Sequence, residues 1–239
     1  MLLYLLLMIV SFGSAVACSI IFYNWHITAT NALSTITRYP VLLSPTHVIY
    51  MIVFILYAFM AYWIWQQYKH QHTLYQKRAL YFSLAMVIQA LLYIAWHKEN
   101  LTYMLLLQVL LIAIAYLLYR TYPKRDYQWT GRLPLSLYFG WSSVSLLFIL
   151  EFIFVYHNFH GFGLSRPFWA IGLLTLGAIM ALYIRYRYDD IAFIIPFTLN
   201  YIGIAIHLQF DEMLVTAVTL FLTGSMLVGM MYFQPKQQE

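Results

Sequence analysis

Six of the eight histidines, His26, His47, His97, His157, His160 and His207, fall in or beside short segments that separate long apolar runs, together with Trp25, Trp96, Glu99, Asp211 and Glu212. Neutral imidazole is the commonest metal ligand, so this grouping is compatible with a site for a metal ion or a metalloporphyrin. His97, His157 and His160 are the metal-ligand candidates. His157 and His160 lie three residues apart and would converge on one ion in a helix, but Gly161 and Gly163 work against a regular helix there. The competing explanation is that amphipathic rings favour the ends of helices at a membrane interface. Both readings are open on sequence alone.

A second set of residues sits inside the apolar runs. Gln89, Tyr93 and Trp96 follow i, i+4, i+7 spacing and share one helical face, and Tyr138, Trp141, Ser142 and Ser145 do the same in a later run. Such faces either line a cavity for a flat, mostly apolar ligand with a few hydrogen-bonding groups or bond across helices, at about 0.6 kcal/mol per pair in a bilayer. Glu151 is the one acid within a run, and an ionisable group at that depth is a functional candidate by default. Pro196, Asn200, Gly203 and His207 form a further stripe, with Pro196 expected to interrupt the backbone bonding of its helix. Glu151, Asn200 and His207 thus make a candidate intramembrane polar site. Arg185, Arg187, Asp189 and Asp190 read as a solvated turn. No nucleophile and base at recognisable spacing, phosphate-binding glycine loop or zinc-protease motif is present, so no enzyme activity is legible.

The elements that must position these residues follow from composition. Only 9% of the 239 residues are charged, against about 25% in a soluble domain, which is too few to cover a water-facing surface. The 63% apolar residues fall in eight runs near 2–23, 46–66, 79–96, 102–119, 134–156, 167–184, 191–208 and 213–233, each about the length of a helix that crosses roughly 30 Å of hydrocarbon. Alternating ten-residue segments of a membrane barrel are absent. The expected fold is an all-α, polytopic transmembrane helix bundle of about eight helices. Residues 1–17 carry no Lys or Arg, which argues for a retained first helix over a signal peptide. The single cysteine, Cys18, excludes an internal disulfide and thiol-rich metal sites.

The net charge of +5 does not mark a nucleic-acid protein, because the bases occupy short loops. With eight spans, Lys69, Lys77, Arg78, Arg120, Lys124, Arg125, Arg132, Arg185, Arg187 and Lys236 fall on one side with both termini, and only Arg38, Lys98 and Arg166 on the other. That asymmetry puts both termini in the cytoplasm.

Three segments carry a family resemblance. Tyr39-Pro40-Val41-Leu42-Leu43-Ser44-Pro45-Thr46-His47-Val48, leading to Leu56-Tyr57 and Met60, resembles the proline-containing entry to the second helix of the TspO/MBR family, the tryptophan-rich sensory proteins related to the translocator protein. Gln89, Tyr93 and Trp96 resemble that family's third-helix pattern, and Leu133-Pro134 through Trp141 its fifth-helix opening. The resemblance implies a five-helix core over residues 1–156, with 157–239 as an extension of three helices in the same membrane domain, similar to longer bacterial relatives. It implies a bacterial-type inner-membrane location and a pocket for a porphyrin, haem or other hydrophobic ligand. Thr46 and His47 stand where the family has Gly-Trp, Gln89 stands for Asn, Tyr93 for Trp, and Ile149 where an Asn is usual.

The combined expectation is a membrane protein that binds a small hydrophobic or tetrapyrrole-like ligand in a pocket bounded by His47, Tyr50, Gln89, Tyr93, Trp96, Tyr138, Trp141 and Ser145, with a sensory or regulatory role. The loop 24–45 would act as a lid, and His47 or His97 would ligate haem iron. A secondary transporter and a structural or assembly partner are the alternatives. Small-xxx-small pairs at Ser136/Gly140 and Gly177/Ala181 would pack helices within the chain or in a homo-oligomer.

Overall fold

A computed structural model describes residues 2–23, 39–69, 76–123, 131–159 and 163–232. Among them there are helices and turns and no strands. The helices are α1 (Leu2–Tyr23), α2 (His47–Tyr50), α3 (Ile52–Lys69), α4 (Gln76–His97), α5 (Leu101–Tyr119), α6 (Leu133–Tyr156), α7 (Arg166–Tyr188), α8 (Ile191–Leu208) and α9 (Met213–Tyr232). Counting α2 and α3 as one span, His47–Lys69, eight of these segments are long and apolar enough to cross a membrane. In hydrocarbon a helix is one of the two backbone forms that leave no peptide group unsatisfied, which is why the apolar runs become helices whatever their other propensities. The chain is accordingly a multi-pass, all-α membrane protein.

Two boundaries differ from the hydropathy reading. Lys77 and Arg78 belong to the first turn of α4, and Arg185 and Arg187 to the last turn of α7, where sequence placed all four in loops. Helix ends extend past the apolar core because the interface tolerates long cationic side chains there. Residues 24–38 of the expected lid, with His26, lie outside the described residues, as do His70, His72 and His160.

The chain divides into two compact units. One comprises Met1–Tyr39, Leu56–Pro123 and Tyr127–Leu135, the other Pro40–Ile55, Lys124–Asp126 and Ser136–Glu239. The turn before the second span groups with the last four helices.

In the first unit α4 packs between α1 and α5. Rings fill the interior: Phe82 of α4 meets Trp63 of α3 at 5.1 Å between centroids and Phe12 of α1 at 6.3 Å, and Phe12 sits edge-on to Tyr57 at 5.8 Å. Trp63 Nε1 donates to Tyr122 Oη at 2.9 Å, so the one polar atom of that ring is satisfied.

In the second unit α7, α8 and α9 pack against one another, and α6 reaches α8 through close backbone approach. A Cβ on Gly140 would collide with the main-chain carbonyl of Phe193, so only glycine permits this approach. The Ser136/Gly140 pair therefore packs within the chain. Ser136 Oγ donates to Asp190 Oδ2 at 2.8 Å, and Asp190 also caps α8 by accepting from Phe193 N at 3.3 Å. Asp190 is 3% exposed and Arg185, paired with Asp189, is 5% exposed. The segment read as a solvated turn is thus in part a buried cap and ion pair, which sequence missed because burial there depends on α6 and α9 neighbours. Arg187 remains exposed.

Candidate functional site

The local chain around the second span begins with an extended Pro40–Pro45 turn, for which two prolines and a serine leave few alternatives. This turn has no helix or sheet to satisfy its backbone. Glu151, one turn from the end of α6 and 5% exposed, does so: Leu42 N donates to Oε1 at 2.9 Å and Leu43 N to Oε2 at 2.7 Å. Both oxygens of one carboxyl are engaged by consecutive backbone N–H groups, which fixes the turn against α6. Three residues after Leu43, Thr46 N donates to the Gly203 carbonyl of α8 at 3.2 Å. A Cβ at Gly203 would strike Ile49 and Pro45, so the absent side chain lets α2 seat against α8.

Beneath the turn lies a cavity of about 40 Å³. Leu43, Pro45 and Tyr50 form one wall, Trp141, Val144, Ser145, Leu147 and Phe148 of α6 another, and Leu174 of α7 with Asn200, Tyr201 and Ile204 of α8 the remainder. Its walls are apolar apart from a few polar atoms. Tyr50 Oη pairs with Ser44 Oγ at 3.3 Å and Tyr201 Oη donates to the Leu174 carbonyl at 2.5 Å. Ser145 Oγ donates back to the Trp141 carbonyl at 2.8 Å. Asn200 Nδ2 donates to the Pro196 carbonyl at 2.8 Å, within its own helix, and Oδ1 is the amide's acceptor.

The structure therefore brings together Tyr50, Trp141, Ser145 and Asn200 of the residues singled out from sequence. Tyr138 is buried at 2% exposure but does not line the cavity. Gln89, Tyr93 and Trp96 are buried in the first unit, where Tyr93 Oη lies 3.3 Å from Tyr57 Oη and 4.9 Å separates the Tyr93 and Phe22 rings. The Tyr93–Tyr57 pair is a bond across helices, one of the two arrangements their spacing allows. His47, His97, His157 and His207 are all exposed, so the stripe that begins at Pro196 turns outward after Gly203. Among the described residues no three His, Cys, Asp or Glu side chains are placed to hold a metal.

Sequence reasoning missed Leu43, Pro45, Leu174 and Tyr201. Tyr201 neighbours Asn200 in the chain, yet nothing in its surroundings marks it as a cavity wall until α7 is packed against α8. A haem does not fit this cavity: no imidazole lines it, and about 40 Å³ is far below the roughly 300 Å³ that even a drug-sized ligand fills.

Eight apolar spans, with a small polar-edged cavity in the second unit, define a polytopic α-helical membrane protein. A family model described as TSPO-like protein matches residues 5–232, and the chain belongs to that family. The match runs from the first span to the last and takes in the three C-terminal helices as well as the 1–156 segment that the resemblance covers. No curated protein and no solved structure matches the chain.

Proposed function

We propose that this TSPO-like membrane protein binds a small apolar molecule carrying one hydrogen-bond donor, in the cavity walled by the 43–50 segment, α6, α7 and α8. The observation that carries this reading is the Glu151 clasp: a buried carboxyl spends both oxygens on holding a turn whose Leu43 and Pro45 wall a cavity. Trp141 and Tyr50 supply ring faces, and Asn200 Oδ1 accepts from the ligand. At about 40 Å³ the cavity excludes a tetrapyrrole, and a compact molecule such as a phenol or short alcohol enters as the walls move apart, since an apolar cavity that takes benzene measures about 150 Å³. A sensory or regulatory output, and termini on the cytoplasmic side of a bacterial-type inner membrane, complete the proposal; the latter rests on the Lys/Arg distribution.

The test is calorimetric titration of the detergent-solubilised protein with 4-propylphenol, 1-hexanol and protoporphyrin, repeated on Asn200→Leu. Saturable binding of the phenol or the alcohol, abolished by the substitution, supports the reading. Single-site binding of protoporphyrin alone would return the tetrapyrrole expectation and overturn this one. Transport is favoured by one observation, Pro196 within α8 one turn from Asn200, and predicts hexanol-independent solute flux in sealed vesicles that depends on Asn200.

A further inference from the structure

The first unit carries an open groove of about 600 Å³ lined by Lys77, Arg78, Tyr81, Leu117, Arg120 and Thr121. It lies where the N-terminus of α4 meets the C-terminal end of α5, and three of its six lining residues are cations with no carboxylate among them. Concentrating like charge in a groove is unfavourable unless an anion or water relieves it. Two further features add positive potential or order. The first turn of α4 contains no acid, so the positive end of its helix dipole adds to the potential there. Arg78 is held in place: Nη2 donates to the Thr121 carbonyl at 2.8 Å, Nε to Thr121 Oγ1 at 3.3 Å, and the guanidinium lies 3.7 Å from the Tyr122 ring centroid. Tyr122 in turn accepts from Trp63, which ties this arginine to the ring core of the unit.

Depth decides what kind of anion suits the groove. The spans end at Gln76 and Tyr119, so Lys77, Arg78 and Arg120 sit at the level of lipid headgroups. From Lys77 an exposed apolar stripe of Leu80, Leu84 and Val87 continues down the same face of α4, and exposed Leu110 and Leu117 lie on α5. A phosphate from bulk water has no use for such a stripe, whereas a phospholipid presents a phosphate above acyl chains. We propose that this groove is a binding site for an anionic phospholipid, with Lys77, Arg78 and Arg120 around the headgroup phosphate and the α4 stripe against an acyl chain.

The experiment is native mass spectrometry of the full chain released from micelles doped with equal phosphatidylglycerol and phosphatidylcholine. Phosphatidylglycerol is expected to stay bound preferentially, and Lys77→Gln with Arg120→Gln to lower its occupancy by roughly fivefold for each charge removed. Arg78 is left intact because its bonds to Thr121 are structural. Arg187→Gln, an exposed charge at the end of α7, is the control and is expected to change nothing. Equal retention of the two lipids, an equal loss in the Arg187 variant, or displacement of the lipid by millimolar inorganic phosphate would each overturn the proposal. Matching far-UV spectra and melting curves in neutral detergent establish that the double variant is folded.

Discussion

Both units pack aromatic rings, and the unit containing α2 and α6 to α9 adds two buried carboxyls bonded to backbone amides and a glycine contact. In the first, Phe12, Tyr57, Trp63 and Phe82 fill the interior with large rigid side chains. In the second, Glu151 clasps two amides, Asp190 caps α8 while accepting from Ser136, and Gly140 lies against the Phe193 carbonyl. In a bilayer no hydrophobic force pulls helices together, so association rests on packing and hydrogen bonds. Ring packing fills space. Carboxyl-to-amide bonds hold elements at fixed distances without filling what lies between them, and the small cavity is walled by Leu43, whose amide Glu151 holds.

Removing the clasp should have the largest effect. Glu151→Ala strands the Leu42 and Leu43 N–H groups, at about 1–3 kcal/mol each, and amide hydrogen exchange at both should accelerate sharply. Glu151→Gln retains one acceptor and should lose roughly half as much. An equal rise in exchange across α1 and α4 would break the distinction between the units. Next, Gly140→Ala forces a methyl onto the Phe193 carbonyl and should lower stability by about 1–3 kcal/mol in a detergent-denaturation titration, the range for overpacking. Trp63→Phe keeps a ring but deletes the bond to Tyr122; a loss of about 1 kcal/mol, with the near-UV signal of the ring cluster diminished, would agree with ring packing as the main term there. Ser145→Ala should change stability by less than about 0.5 kcal/mol, because its hydroxyl bonds only to its own helix. A larger loss would mean that this hydroxyl reaches a partner across the cavity.

Much of the fold was legible from composition and run length. The eight spans, their helical state and the family follow from local properties: twenty or so apolar residues in lipid have no alternative to a helix, and a motif such as Leu133-Pro134 through Trp141 keeps its order in one dimension. Glu151 and Asn200 could be singled out because a polar group within an apolar run is conspicuous. Their roles were not legible. Glu151 acts on residues more than a hundred positions earlier, and Asn200 lies on a cavity whose other walls come from three separate segments.

The histidines show the same division from the opposite side. Their clustering at span ends was visible and suggested a metal or haem site, yet the four that are described are exposed and none borders the cavity. Gln89, Tyr93 and Trp96 share a helical face by their spacing, and all three are buried in the first unit. By itself the sequence determined that this chain is a multi-pass helical membrane protein of the TSPO-like family, because lipid imposes that outcome segment by segment. Which polar side chain meets which backbone, and where a cavity is left, only the tertiary structure decided, because those outcomes depend on distances between helices that no local preference encodes.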